Sequence, residues 1–462
     1  MPVRHTCWTE TLCKDFEMVF PAWNRTFSAV AVISVIVVGC GPPPRPVEEI
    51  STAPEQVTPA VKITVGEHDW PWWRGSTGNN VAACETAPTR WSESEKIVWK
   101  KSVPGRGHGS PTVVAEKVFL CTADEVAAKQ YVICFSQATG KQLWQTEIHS
   151  GGLPESGGMH RKSTHANCTV ASDGTSLFVG FLNNEHVRAT SLTLDGDIRW
   201  QTELGYFVPK FGYAASPCLF ESLAIYAGDN RGGAFIAAVH RDTGDIVWRK
   251  ARNDVDTYSS PIVANINGQP QLIISGDDRV AAYDPSTGAE IWSCPGTASA
   301  TCGTAVWKDN LVFASGGHPA RQTICVDATS GNRVWEDGVK CYEQSMLIAN
   351  DHLYAVTDDG IAICWEAATG ARKWRHRLTG PISASPVLVG NLIYATNESG
   401  TTWVFEANPE AYRQVAENQL GSESFASIAV CNAQVFARVA AGNGPDRQEF
   451  LYCIGESSSK VE

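Results

Sequence analysis

The sequence predicts an all-β protein: an eight-bladed β-propeller of four-stranded antiparallel blades, one of them closed by strands from both ends of the chain. Three observations support this prediction. The 462 residues include 40 Gly and 16 Trp but only 4 Met, which is typical of a turn-rich β protein with a recurring aromatic residue. A Gly that is preceded by Thr, Ser or Asp and followed four residues later by Trp occurs six times. Apolar residues come in short runs, and no stretch has convincing helical periodicity.

The composition excludes several classes of protein. Lys and Arg number 37 against 49 Asp and Glu, which gives a net charge of -12 and a pI near 5.4. Hydrophobic residues make up 43% and charged residues 19%, so wholesale disorder is excluded. An acidic surface without a Lys/Arg-rich run repels phosphate backbones. We therefore expect no nucleic-acid partner.

The N-terminal region is interpreted as a targeting segment. Residues 28–39 (SAVAVISVIVVG) form the only long uncharged apolar run. It is too short for a bilayer span, which needs about 20 residues, but it suits a signal peptide. The run ends in Cys40, and the stretch VVGC resembles the bacterial lipobox. That resemblance implies a lipoprotein signal peptide over residues 1–39 and acylation of Cys40. The alternative is a buried strand with a chance cysteine.

Residues 40–67 are interpreted as a Pro-rich tether, because a polar, Pro-rich composition favours an extended chain. The region ahead of the apolar run is long for a signal peptide and contains three acidic residues. A start at Met18 instead of Met1 would shorten it and leave Arg25 as its charge. The start codon therefore stays open.

One repeat accounts for most of the remaining chain. The strings TGKQLW, DGDIRW, TGDIVW, TGAEIW, SGNRVW and TGARKW share the Gly-x-x-x-Trp spacing, and Trp99 resembles a seventh copy without its turn. Successive tryptophans lie 39 to 56 residues apart, close to the length of a four-stranded propeller blade. The seven repeat tryptophans are Trp99, Trp144, Trp200, Trp248, Trp292, Trp335 and Trp374.

Each unit predicts four strands. Several units open on Ser-Pro, at Ser110, Ser216, Ser260 and Ser385, and proline is tolerated as the first residue of a strand. Two apolar runs follow. The Thr-Gly turn then lets Gly adopt a positive φ before the short strand that carries Trp.

Counting the units predicts the topology. Six complete units end at Trp144 to Trp374, and a seventh at 383–420 has Val415 in place of Trp. The last block, 425–456, supplies only three strands. The strand around Trp99 completes it, which closes the ring and removes both free edges. We expect the propeller to occupy residues 68–456, with a C-terminal tail at 457–462.

The repeat is similar to one known family. The TGxxxW ending, with Asp284 or Asp327 on the preceding strand, resembles the pyrroloquinoline-quinone (PQQ)-like repeat family. Its members include the eight-bladed quinoprotein dehydrogenases and the outer-membrane barrel-assembly lipoprotein B. Trp70–Gly78 (WPWWRGSTG) also resembles the N-terminal segment of bacterial members. The resemblance covers about residues 68–456 and implies that the seven repeat tryptophans pack between neighbouring blades as scaffold.

The cysteines are interpreted mainly as packing residues. Cys134, Cys325 and Cys364 each stand ten residues before a repeat Trp, where other units have Thr or Ala. Cys453 lies on the equivalent strand of the last block. This pattern predicts small apolar side chains inside the blades. Cys294 and Cys302 are close enough in sequence to form a disulfide, and that alternative stays open.

The family resemblance also suggests an enzymatic alternative. Its dehydrogenases bind PQQ over a disulfide between adjacent cysteines, with a calcium ion and an Asp base. This sequence has no adjacent cysteine pair, which argues against PQQ binding. We expect no catalytic residue and no bound cofactor.

The loop at 157–167 (GGMHRKSTHAN) is the most unusual connection. His160, Arg161, Lys162 and His165 cluster in an otherwise acidic chain. They could form a metal site at His160 and His165 or an anion-binding patch. Two histidines without a third ligand are weak evidence for a metal, and an ordered connection between blades is the competing interpretation.

These observations favour a lipid-anchored, extracytoplasmic propeller that binds a protein partner in the cell envelope without catalysis. We expect a monomer located in the periplasm and tethered to a membrane. The alternatives are a PQQ- or metal-dependent oxidoreductase and a propeller that binds a small ligand or carbohydrate at its channel mouth. The step from propeller to scaffold rests on family analogy, because fold does not determine function.

Overall fold

The structure is a computed structural model, and it describes residues 45–53, 57–154, 159–160, 162–208 and 211–456. Within these residues the chain forms eight antiparallel sheets and one short 3₁₀ turn at Gly444–Asp446. Seven sheets have four strands, and one has a short fifth strand. The predicted all-β, eight-bladed propeller is confirmed.

The first four blades follow one another along the chain. Their strands, from the axis outward, are Thr112–Val114, Lys117–Asp124, Lys129–Ser136 and Gln142–Ser150 in blade 1; Ala171–Ser172, Ser176–Asn183, His186–Thr193 and Ile198–Tyr206 in blade 2; Cys218–Phe220, Leu223–Gly228, Phe235–His240 and Ile246–Ala251 in blade 3; and Ile262–Ile266, Gln269–Gly276, Arg279–Tyr283 and Glu290–Pro295 in blade 4. The inner strands are largely buried, whereas the fourth strands are partly exposed.

The remaining blades complete the ring. Their strands are Val306–Lys308, Leu311–Gly316, Gln322–Asp327 and Asn332–Asp337 in blade 5; Leu347–Ala349, His352–Val356, Ile361–Glu366 and Arg372–Arg377 in blade 6; Val387–Val389, Leu392–Thr396, Thr401–Glu406 and Gln414–Gln419 in blade 7; and Ala429–Cys431, Gln434–Ala441, Gln448–Ile454 and Ile97–Val103 in blade 8.

Blade 8 is closed by the N-terminal strand, as the sequence predicts. Ile97–Val103 pairs antiparallel with Gln448–Ile454, and Trp99 lies opposite Cys453. The first and last parts of the propeller thus share one sheet, so neither leaves a free strand edge at the closure.

The repeat tryptophans form the seams between blades. The indole Nε1–H of Trp200 donates a 2.8 Å hydrogen bond to the Arg241 carbonyl of the next blade, and Trp335 donates in the same way to Ala367. The repeat Gly of the next blade lies against this indole. A Cβ on Gly244, whose φ is +80°, would stand 2.6 Å from the Trp200 ring. The Gly and Trp of the motif therefore belong to contacts with different neighbours.

The cysteine pattern follows from strand register. Cys134, Cys325 and Cys364 lie directly opposite Trp144, Trp335 and Trp374 on the adjoining strand. These thiols are fully buried and free. A residue opposite the large indole must be small, which explains why Cys and Ala alternate there. The interpretation as packing residues is confirmed.

The described part of the 40–67 segment lies along blade 3. Ile50–Ser51 pairs antiparallel with Arg249 and Trp248 as a fifth strand. Farther along, the Thr58 carbonyl contacts His240 Nε2 at 2.6 Å, and the Thr64 N–H donates to the Asp173 carbonyl of blade 2. The segment thus runs down the outer edge of blade 3 and then to blade 2.

The described residues also bear on membrane crossing. Within this part of the chain, no helix has the length and apolar character needed to span a bilayer.

Candidate functional site

A segment near the N-terminus, Trp70–Ala82, crosses the centre of the ring; we call it the crossing segment. Trp70 exchanges backbone hydrogen bonds with Val113 of blade 1. Trp73 Nε1–H donates to Thr304 Oγ1, next to blade 5, at 2.9 Å. The Ala82 N–H donates to the Leu388 carbonyl of blade 7. Because its contacts reach blades on opposite sides of the axis, the crossing segment obstructs the central channel.

Arg74 anchors this segment. It is fully buried, its Nε–H donates to the Gly78 carbonyl at 2.8 Å, and its Nη2 donates to the Met346 carbonyl at 3.0 Å. Burial lowers the pKa of Arg74 to about 9. Through these two hydrogen bonds the guanidinium links the turn of the crossing segment to the residue just before the first strand of blade 6.

A belt of hydroxyl groups surrounds the axis, with one at the start of each blade. The backbone N–H of one belt residue donates to the hydroxyl oxygen of the next blade, as Ser216 does to Ser260 at 2.9 Å. Six such links are formed. The belt comprises Ser110, Thr169, Ser216, Ser260, Thr304, Ser345, Ser385 and Ser427.

The belt and the connections above it enclose a cavity of about 580 Å³ at the channel mouth. Every blade contributes to the wall, and Trp73 of the crossing segment also lines it. A cavity of this volume is within the range of sites for small molecules. The cavity lies on the propeller axis, since every blade borders it.

The charges in the cavity wall are paired. Lys162 Nζ lies 2.5 Å from Glu398 Oε1 and 3.4 Å from Glu343 Oε1. The hydroxyl of Ser383 lies within hydrogen-bond distance of both carboxylates and shares its one hydrogen between them. Burial alone would lower the pKa of Lys162, but the hydrogen bond to Glu398 and the charges of both carboxylates raise it. Lys162 is therefore a cation held between two anions.

A second pair lies farther around the wall. Arg231 Nε is 2.7 Å from Asp256 Oδ2, and the carboxylate is buried while the guanidinium is largely exposed. Lys340 lies 3.9 Å from Asp358. Both cations therefore have an acidic neighbour, as Lys162 has.

His108 contributes an uncharged imidazole. Its ring stacks on Phe425 with 4.4 Å between centroids, and both residues line the cavity. Burial, followed by the charges of Arg106, Arg438 and Arg447, holds the pKa of His108 well below its usual value. The ring is therefore neutral near pH 7.

Aromatic rings supply much of the remaining surface. Phe211 packs edge-on against Tyr258 at 5.7 Å between centroids, and His160 packs edge-on against Phe211 at the same distance. Tyr342 lies near the paired Lys340 and also lines the cavity. The wall therefore combines aromatic rings with hydroxyl groups and neutralised ion pairs.

The structure separates the residues predicted as a metal or anion site. His160 is exposed and lines the central cavity, whereas His165 is buried and lines a different, smaller pocket. Burial lowers the pKa of His165. Lys162 is held by two carboxylates, and Arg161 lies outside the described residues. Among the described side chains, no three His, Cys, Asp or Glu form a group suited to a metal ion.

The structure also bears on the predicted cysteines and on the Ser-Pro residues. Cys294 and Cys302 are both free thiols, so the structure does not contain the disulfide that the sequence left open. Cys40 lies outside the described residues, and its acylation stays a prediction. The Ser-Pro positions prove to be belt residues, whereas Thr169, Thr304, Ser345 and Ser427 lack the proline and were missed. Their signal was position alone, a hydroxyl residue just before each first strand.

The outer edges of the blades differ in how they are covered. The residue before the repeat Trp is apolar in blades 1, 4 and 5, where Leu143, Ile291 and Val334 are 45–48% exposed. Its counterpart in blade 3, Val247, is only 6% exposed. The Val247 carbonyl accepts a hydrogen bond from Thr52, and Val47 and Val57 pack against the same core cluster. An extended segment of the chain itself therefore covers the outer edge of blade 3.

Comparison with known proteins identifies a family and two curated relatives. The family model described as outer membrane protein assembly factor BamB matches residues 69–207, 128–376 and 320–409. BamB of Bordetella pertussis is 30% identical over 148 residues, which cover 28% of this chain and 36% of that protein. BamB of Shewanella oneidensis is 25% identical over 158 residues, or 31% of this chain and 38% of that protein. The chain thus matches little more than a third of the length of these curated relatives.

Solved structures show the same fold. BamB from Moraxella catarrhalis superposes with a TM-score of 0.57 at 16% identity, covering 79% of this chain and 99% of that one. The quinohemoprotein alcohol dehydrogenase from Comamonas testosteroni gives a TM-score of 0.63 at 12% identity, covering 86% and 82%. At these identities the likeness shows the fold alone. The repeats, the closed ring of eight blades and the family match over residues 69 to 409 show that the chain belongs to the PQQ-repeat family described as outer membrane protein assembly factor BamB.

Proposed function

We propose that this protein is a lipid-anchored scaffold of the cell envelope that binds protein partners in outer-membrane protein assembly. The observation that carries the proposal is the family match, which spans most of the propeller. A closed ring of eight sheets holds its loops and edges rigidly, a geometry suited to docking other chains. In this proposal the protein is a monomer, located in the periplasm and attached to a membrane through Cys40.

The open blade edges support a protein-binding role. Fourth strands present unpaired backbone groups, and extended peptides bind such edges by adding a strand. Blade 3 already holds an extended segment in this way, with Ser51 opposite Trp248. Blades 4 and 5 present Ile291 and Val334 at the equivalent place, and both remain exposed among the described residues. We assign the partner surface to these two neighbouring edges.

The test is site-specific photocrosslinking in cells with the full-length protein. A crosslinking residue at Val334 is expected to capture an outer-membrane assembly factor, identified by mass spectrometry. The same residue at Val247, which the chain covers, is the matched control and is expected to capture none. Absence of adducts from both Ile291 and Val334 would contradict the assignment of the surface.

The lipid anchor needs a separate measurement. Mass spectrometry of the mature N-terminus is expected to find an acylated cysteine at position 40. Cys40→Ala is expected to leave a protein that fractionates away from membranes yet keeps its unfolding transition. An unmodified N-terminus upstream of Cys40 in the mature protein would contradict this part of the proposal.

The proposal includes no catalytic role, because the cavity does not fit PQQ with calcium. PQQ carries three carboxylates, whereas Lys162 and Arg231 are already paired with carboxylates in the wall. The described side chains also offer no group of three acidic, His or Cys ligands for the ion. Titration with PQQ and Ca²⁺ is expected to leave tryptophan fluorescence unchanged and to support no dye-linked alcohol oxidation. Saturable quenching with turnover would instead make the cavity an active site.

A further inference from the structure

We infer that the cavity at the channel mouth binds a neutral saccharide of one to three units. This inference is independent of the proposed scaffold role, because it concerns the axis of the ring and not its outer edges. The cavity holds about 580 Å³ and is lined at its inner end by Trp73 of the crossing segment. Its volume suits a ligand of drug-like size.

The belt supplies O–H donors that have no acceptor in the described part of the chain. Thr169, Ser260, Ser385 and Ser427 line the cavity, and each hydroxyl oxygen accepts a backbone N–H from a neighbouring blade. A hydroxyl also carries one hydrogen to donate. Among the described residues none of these four donates it. The belt therefore offers a partial ring of O–H donors whose orientation is held by the backbone.

The ion pairs argue against a charged ligand. An anion would have to compete with Glu343 and Glu398 for Lys162, and with Asp256 for Arg231. A cation would meet carboxylates whose charge is already neutralised. Paired ions still present oxygen and nitrogen atoms in defined directions, which suits ligands that both donate and accept hydrogen bonds. The hydroxyl groups of a neutral sugar have this property.

Aromatic faces provide the apolar half of the recognition. Phe211, Tyr258, Tyr342 and Phe425 stand around the wall, and Trp73 adds an indole. A pyranose ring has an apolar C–H face and a rim of hydroxyl groups, so it can lie on an aromatic ring while its rim meets polar atoms. The aromatic rings and the O–H donors of this cavity match these two surfaces of a sugar.

Two polar atoms beside the cavity lack a partner. The hydroxyl of Tyr258 and Nε2 of His108 are buried and form no hydrogen bond with the described residues. Buried polar atoms are normally hydrogen-bonded. Each atom has less than 1 Å² of accessible surface, so a ligand reaches it only when its ring rotates toward the cavity. In that position the neutral imidazole of His108 accepts from a sugar hydroxyl, and the phenol of Tyr258 donates to one.

The experiment is calorimetric titration of the purified protein with maltotriose, cellotriose and triacetylchitotriose, followed in parallel by tryptophan fluorescence. Glucuronic acid and glucosamine serve as charged comparison ligands. At least one neutral trisaccharide is expected to bind with a Kd of about 1 mM or tighter, and the charged sugars at least tenfold more weakly. If no neutral saccharide saturates the protein, or if a charged sugar binds tightest, the inference is wrong.

Two variants locate the binding. Tyr258→Phe removes a hydroxyl that has no hydrogen-bond partner in the described part of the chain, so folding should be retained, and affinity is expected to fall about 3- to 10-fold. Tyr226→Phe is the matched control, because its hydroxyl is also buried and forms no hydrogen bond with the described residues, but Tyr226 belongs to the core around blade 3 and does not line the cavity. Equal weakening by the two variants, or none by Tyr258→Phe, would place any bound sugar elsewhere and overturn the assignment.

Discussion

The seams between blades and the lining of the central cavity are formed by the same repeat units. The blades repeat one another closely at the seams but differ from one another around the cavity. At the seams, a Trp of one blade meets a Gly of the next at nearly identical geometry, as Trp200 meets Gly244 and Trp335 meets Gly370. Around the axis only the belt hydroxyls repeat. The side chains above the belt differ from blade to blade, as the Lys162–Glu398 and Arg231–Asp256 pairs illustrate. Repetition therefore specifies the scaffold, and departures from it specify the site.

Removing the closing strand should produce the largest effect. A fragment of residues 92–462 retains Ile97–Val103, whereas 104–462 lacks it and leaves blade 8 with an unpaired edge next to the Gln448–Ile454 strand. We expect the shorter fragment to aggregate, because an open edge templates further pairing. Size-exclusion chromatography and near-ultraviolet circular dichroism of the two fragments measure the difference. A monomeric, well-packed 104–462 fragment would show that closure is dispensable.

Adding a methyl group at a seam should have the next largest effect. Gly244→Ala places a Cβ 2.6 Å from the Trp200 ring at a φ of +80°, so it combines a clash with backbone strain. We expect the free energy of unfolding to fall by about 2–4 kcal/mol. Gly268→Ala has a similar φ of +83° but open space around its Cβ, and should cost only about 1–2 kcal/mol. Urea unfolding compares them, and equal losses would mean that the indole contact contributes nothing.

Lowering the pH should destabilise the protein through His149, a histidine at the seam between blades 1 and 2. Burial, and then the charge of Arg188, lowers the pKa of His149 to about 4. Between pH 6.5 and about 4 the unfolded chain binds a proton at this residue that the folded protein does not, so stability decreases as the pH falls. We expect a loss of about 1–2 kcal/mol over this interval from His149.

The measurement is urea unfolding at several pH values, with His149→Gln beside the unchanged protein. The variant should lose less stability between pH 6.5 and 4.5. His108, which lines the cavity, also has a lowered pKa, so His108→Gln should flatten the remaining slope. Parallel pH profiles for all three proteins would mean that neither histidine stays neutral in the folded state.

A substitution in the belt tests the part of the cavity that repeats from blade to blade. Ser216→Ala removes the hydroxyl that accepts the Thr169 N–H at 3.0 Å. A buried N–H without a partner should lower the free energy of unfolding by about 1–2 kcal/mol. Ser216→Thr should restore it, because Thr169 and Thr304 hold the same place in blades 2 and 5. A threonine variant as unstable as the alanine variant would show that size matters here and the hydrogen bond does not.

The sequence could predict features that depend on a repeated contact. The Gly–Trp spacing predicted the blades, and the count of strands predicted closure at Trp99, because each contact recurs at a constant position in the chain. The cavity depends instead on contacts between residues far apart, such as Lys162 with Glu343 and Glu398. The loop at 157–167 could be recognised as unusual, but its partners come from other blades. Trp73 was visible only as part of a motif, and nothing local indicated that it reaches the cavity.

The smallest effect should come from the position opposite a repeat Trp. Cys364 is fully buried and lies across from Trp374, while Ala238 and Ala282 hold this place opposite Trp248 and Trp292. Because alanine is native there in two blades, Cys364→Ala should lower the free energy of unfolding by no more than about 1 kcal/mol. Cys364→Leu should cost about 1–3 kcal/mol, since the indole leaves no room for the larger side chain. If leucine were tolerated as well as alanine, the seam would owe its small residues to something other than the register with Trp, and the distinction between a tightly repeated seam and a variable cavity would weaken.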